Sequence, residues 1–159
     1  MSDAEAREFL ALERTMTCAT LGPRGWPHLM PLWYVLREPA AGQPAPRLWA
    51  WTYAASQKVR NLERDVRATV QVEAGESYEQ LRGVMLECEV AVHREPDAVA
   101  ALGIEIFKRY TSPRGQAPAD ELDPGLVAVL RGQAAKRVAL EFVERRRATW
   151  DHLKLGGVY

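Results

Sequence analysis

The chain has 159 residues, long enough for one domain with a real core. Its 21 basic and 21 acidic side chains cancel, which argues against nucleic acid or an anionic membrane as the main partner, since both favour a basic excess. No apolar run approaches the roughly 18 residues of a bilayer span. The charged, amphipathic opening MSDAEAREFLALER does not read as a signal peptide, so a cytoplasmic location is expected.

Asp3 to Arg14 places Ala6, Phe9, Leu10 and Glu13 at helical spacing, an opening helix over about residues 3–14. TMTCATL reads as a strand, GPRGWP as a tight reversal, and HLMPLWYVLRE as the returning arm of a hairpin. Pro31 inside that arm predicts an edge position or a bulge, because proline has no N–H to give to a ladder. PAAGQPAP is an exposed loop. RLWAWTY is the third strand, with Trp49, Trp51 and Tyr53 on one face and Leu48, Ala50 and Thr52 on the other.

The segment YAASQKVRNLERD then runs a small-residue turn into a short helix with Val59 and Leu62 as its buried pair. A helix beginning near Ser56 or Gln57 presents unpaired N–H groups and a dipole that favours an anion. Ser56 can cap that end or donate to a phosphate. Lys58 adds a point charge and Arg60 a fork of donors, though the two do not closely share one helical face. The spacing alone favours a solvated surface helix over a phosphate site.

VRATVQVEA is the fourth strand, and YEQLRGVMLECEVAVHRE has the clearest alternation, Val84, Leu86, Cys88, Val90 and Val92 facing inward. Pro96 opens a helix with Val99, Leu102, Ile106 and Tyr110 on one stripe. TSPRGQAPADELDPG is a loop, followed by a short helix through Val127 and Leu130. KRVALEFVERR is the last strand, and a tail is expected over about residues 148–159. Six strands with turn-length connections and outlying helices predict a mainly β fold, a six-stranded antiparallel barrel occupying 1–159 as one domain. Cys18 and Cys88 have no metal spacing and read as small buried apolar residues. His28, His93 and His152 form no metal pattern, so no metal site is expected. The Arg145–Arg147 run, flanked by acids, reads as a solvated strand end or as a contact for a polyanionic group.

Three stretches in order, TLGPRGWPHLMPLWY, WAWTYAASQKVRNLERDVRATVQV and SYEQLRGVMLECEV, resemble the flavin-binding split-barrel superfamily. Its members include pyridoxamine 5′-phosphate oxidase and reductases that use the deazaflavin coenzyme F420. The resemblance covers about Phe9 to Tyr110. It implies a split β-barrel homodimer that binds FMN or coenzyme F420 between subunits and moves a hydride to or from a small organic substrate. It assigns the cofactor phosphate to Thr52, Ser56, Lys58, Arg60 and Asn61. The edge of the ring falls to the backbone of Pro31, Leu32, Trp33 and Tyr34. Trp150 and Lys154, from the tail, are expected to close over a site on the same or the partner subunit. The proline that usually follows the short helix is Val66 here. The tail also lacks the arginines of the vitamer-binding signature, which argues against pyridoxamine phosphate oxidation itself. With 17 arginines to 4 lysines, the composition fits a GC-rich genome and tilts the choice toward the deazaflavin. A non-catalytic split barrel that carries or senses flavin or haem is the alternative.

Overall fold

The computed structural model describes residues 1–39, 45–113 and 121–156. The elements run α1 (Asp3–Leu12), β1 (Thr15–Leu21), β2 (Pro27–Arg37), β3 (Arg47–Tyr53), α2 (Gln57–Arg64), β4 (Arg67–Ala74), β5 (Arg82–His93), α3 (Pro96–Thr111), α4 (Pro124–Ala134) and β6 (Arg137–Asp151). The strands close into an antiparallel barrel in the order β1-β2-β3-β6-β5-β4. The expected barrel is therefore the observed one. Most of the PAAGQPAP loop and residues 114–120 lie outside the described residues.

β1, β3 and β4 bury alternate residues, and β6 buries both faces over Val138–Phe142. The inward set fills the barrel: Met16, Cys18, Leu32, Tyr34, Leu48, Ala50, Val70, Val72, Val84, Leu86, Val138, Leu140 and Phe142. Cys18 and Cys88 are buried free thiols, and burial pushes both up to about 12. A second core lies outside the barrel wall. There α3 lays Val99, Leu102 and Ile106 over Val35, Ala139, Trp49 and Trp51. The two tryptophans are thus half-buried residues packed against this outer core. Gly103 makes this possible, because a Cβ there would come 2.8 Å from the Trp51 ring.

α1 starts on a reciprocal cap, Ser2 and Glu5 each accepting from the other's backbone N–H. It stops at Leu12, two residues earlier than the spacing predicts. At the C-terminal end of α1, Arg109 of α3 donates to the carbonyls of Ala11 (2.8 Å) and of the C-cap residue Glu13 (2.6 Å).

The largest departure from the sequence reading is at the C-terminus. Residues 148–151 are the end of β6, not a tail: Ala148, Thr149, Trp150 and Asp151 pair with Met85, Val84, Gly83 and Arg82 of β5. Trp150 lies across Gly83, where an added Cβ would meet the indole at 2.2 Å. The pairing shifts by one residue opposite Glu87/Cys88, leaving Arg145 as the extra residue of a bulge. That bend lets one 15-residue strand leave β3 and continue along β5. A glycine-dependent contact and a bulge across distant strands leave no local mark in the sequence.

Candidate functional site

The barrel is split between β2 and β3. Their pairing begins at Arg37 with Arg47 and ends at Tyr34 with Ala50. Beyond it, Pro27–Trp33 pairs only with β1, and Trp51–Tyr53 only with β6. The polarity of the open edge follows from Tyr34. Its N–H donates to the Tyr110 hydroxyl at 2.9 Å, and its carbonyl accepts from Arg109 at 3.1 Å. The same Tyr110 hydroxyl bonds to the Arg14 carbonyl, so it stands in for a rung between Tyr34 and the residue just before β1. Tyr34 thus faces the β1 side, and strand alternation turns the N–H and C=O of Trp33 toward the seam. The missing N–H of Pro31 falls on the same side. Pro31 is at an open edge as expected, where it interrupts no ladder. The side chains of Pro31 and Trp33 are exposed, and Leu32 points into the core at 8% exposure. The Trp33 ring stacks on Tyr110, centroids 4.3 Å apart.

At the far lip of the seam, β3 ends at Tyr53 and α2 begins at Gln57 with Ser56 as its N-cap residue. The Ser56 hydroxyl makes no capping bond, and its oxygen is buried without a partner. Lys58 is 7% exposed, and Nζ donates to Thr52 Oγ1 at 3.0 Å, its one hydrogen bond among the described residues. Burial holds the ammonium below the usual lysine range. Thr52 and Lys58 are therefore joined by a hydrogen bond, and Ser56 is the N-cap residue two positions before Lys58.

Two other expected members do different things. Arg60 is exposed, away from Lys58. Asn61 is fully buried and docks α2 onto the barrel, donating to Thr20 Oγ1 and accepting from Gln57 Nε2 and Arg64 Nη2. The turn after α2 needs no proline, since Asp65 accepts the Arg67 N–H and grips its guanidinium.

Within one chain, Trp150 and Lys154 are not brought to this site. Val138, paired with Thr52, lies twelve residues from Trp150, roughly 40 Å of strand path. Lys154 is paired with Glu5 at 2.6 Å beside the α1 cap. The basic run is likewise engaged, Arg145 with Glu89, Arg146 with Glu87, and Arg147 with Glu144 and Asp3. A groove of about 550 Å³ opens behind α2, lined by Thr20, Leu21, Pro27, Arg67, Thr69 and Arg145 among others. It is at the opposite end of the helix from Lys58 and Ser56. No group of side chains suited to a metal ion occurs among the described residues.

Arg137 escaped the sequence reading. It pairs with Tyr53 across β6 and β3, and its guanidinium stacks on both Trp51 (4.2 Å) and Tyr53 (4.1 Å). Only the strand register reveals this, because Tyr53 and Arg137 lie far apart in the chain, with α2, β4, β5, α3 and α4 between them.

A family model for pyridoxamine 5′-phosphate oxidase matches residues 2–143. The chain belongs to the pyridoxamine 5′-phosphate oxidase family. Among solved structures, it is similar to the conserved hypothetical protein Rv2991 of Mycobacterium tuberculosis, with 36% identity, TM-score 0.81, and coverage of 100% of this chain and 90% of the other. An F420 reductase shares the fold at 19% identity and TM-score 0.61, over 89% of this chain and 94% of its own. HutZ, the haem storage protein of Vibrio cholerae, does so at 12% identity and TM-score 0.63, over 94% and 93%. No curated protein matches the sequence. No helix among the described residues is long and apolar enough to cross a membrane.

Proposed function

We propose that this family member is an FMN- or F420-dependent oxidoreductase, with its cofactor phosphate at the mouth of α2 and its ring along the open edge of β2. The observation that carries this reading is the pairing of a buried, unpartnered Ser56 hydroxyl with a buried Lys58 ammonium that has only a neutral partner. A buried cation without a counter-ion is costly, and a phosphate supplies the missing charge. The first N–H groups of α2 add donors for the same anion. The residues present therefore fit the anionic end of either cofactor.

The cofactor supplies hydride chemistry when bound. The chain's contribution is to hold and orient. Lys58 and Ser56 fix the phosphate, with Thr52 aligning the ammonium. The Trp33 N–H offers a donor along the seam, and the Trp33 ring, braced by Tyr110, walls it. Arg60 and Asn61 are outside this contact set, the first solvated and the second docking the helix.

A homodimer belongs to the same reading. Trp26, Leu29, Met30 and Trp33 leave large apolar surface exposed along the β2 arm, which a second copy would cover. The substrate is a small organic molecule. Titration of FMN and coenzyme F420 into the purified protein, followed by absorbance and fluorescence, tests the proposal. Saturable binding of one of them, weakened in Lys58→Ala, is the expected result, and no binding of either refutes it. A carrier without turnover would bind identically but fail to oxidise or reduce any acceptor supplied to the loaded protein.

A further inference from the structure

Arg137 combines three features. Its guanidinium is held between two rings, at 4.2 Å from Trp51 and 4.1 Å from Tyr53. Its Nε is buried without a hydrogen-bond partner, as is the neighbouring Trp51 Nε1. Among the described residues no carboxylate or carbonyl accepts from its terminal nitrogens. Several other arginines find acids, Arg37 with Glu105, Arg47 with Glu141 and Arg94 with Glu63. Arg82, over the Phe9 ring with its Nε also unpartnered, shares part of the Arg137 pattern but meets one ring only. Ring stacking fixes the plane of Arg137 without neutralising it.

Its place relative to Lys58 gives the arrangement meaning. Thr52, which holds Lys58, points into the barrel, while Trp51 and Tyr53, which hold Arg137, point out. The two cations lie on opposite faces of the end of β3, Lys58 bonded to inward Thr52 and Arg137 reaching over the outer face from β6, the neighbour on the side away from β2. A single phosphate at the helix mouth engages the inner cation and leaves the outer one unmatched.

We propose that Arg137 anchors a second oxyanion, a carboxylate or phosphate of the seam's ligand distinct from the phosphate held at Lys58. This rests on the proposed function for the identity of the first anion only. The second oxyanion has two possible sources, the carboxylate-bearing tail of coenzyme F420 or an anionic substrate.

The test compares wild type with Arg137→Gln, using FMN, coenzyme F420 and benzoate as probes. The readouts are binding titration and the Arg137 Nε–H resonance of nitrogen-15-labelled protein, with a thermal melt of each variant to establish folding. If the tail is the source, Arg137→Gln binds FMN within about twofold of wild type and F420 about tenfold or more weakly. If a substrate is the source, both cofactors bind unchanged, while benzoate shifts the Arg137 resonance in wild type and has no counterpart in the variant. Equal weakening of FMN and F420 would overturn the proposal, since Arg137 would then serve the shared phosphate. Indifference to all three probes would overturn it too. Should wild type bind neither cofactor, the functional reading fails, and benzoate with the unloaded protein alone decides the fate of the Arg137 site. Arg137→Lys, which keeps charge but loses the planar fork, is expected to fall between the two. Loss of folding in Arg137→Gln would pass the decision to the wild-type resonance and to Arg137→Lys.

Discussion

Replacing Lys58 with methionine separates a binding cation from a structural one. Methionine keeps the unbranched stem and much of the volume, so packing against the barrel changes little. What is lost is a charge at 7% exposure with one neutral partner at 3.0 Å. A hydrogen bond to a charged group contributes about 1.5–3 kcal/mol, whereas burying an ion without a counter-charge costs several kcal/mol. The unloaded variant is therefore expected to be more stable than wild type by about 1 kcal/mol at neutral pH, a rise of about 2–4 °C in Tm. The pH dependence has a definite sign. Lys58 sits below its usual 10.5 in the fold, so the unfolded chain binds more protons between the two values. Wild-type stability gains from this residue as pH rises through that window, and its deficit against the methionine variant closes near 10.5. Cofactor affinity moves the other way, falling by about 1.5–3 kcal/mol, or about 10- to 150-fold. Paired melts of the unloaded proteins at neutral and high pH, with FMN and F420 titrations, measure both. A variant that is less stable yet binds like wild type would refute the reasoning.

Gly83→Val drives a side chain into the Trp150 indole and should destabilise by about 1–3 kcal/mol in urea melts, with partial recovery when Trp150 is shortened to leucine. Tyr110→Phe leaves the Tyr34 N–H without its partner and should cost about 1–3 kcal/mol, read by the same melts. Glu5 is held at about 2, first by the Lys154 hydrogen bond and then by the Ser2 N–H. Its stabilising contribution is complete above its usual 4.5 and is lost as pH falls toward 2, so the Tm difference between wild type and Glu5→Gln should shrink over that interval.

The barrel was legible because its signals are local. Alternation in TMTCATL and RGVMLECEVAVH assigns faces directly, and Val59 and Leu62 are buried as their spacing requires. Lys58, Ser56 and Thr52 were legible as a group because all belong to one strand–turn–helix segment. What stayed hidden depends on register between distant strands. Asn61 reads like a ligand until Thr20 is seen opposite it, and Trp150 reads like a tail until Gly83 makes room for it. Arg137 reaches the outer face of β3 only through its pairing with Tyr53.

The most direct test of the central claim is a crystal structure of the protein with FMN or coenzyme F420 bound. The account predicts a phosphate oxygen at about 2.7–3.2 Å from both Lys58 Nζ and Ser56 Oγ, with the ring lying along the Trp33 edge. A phosphate seated instead in the groove by Arg67 and Arg145, with Lys58 still bonded to Thr52 alone, would contradict it.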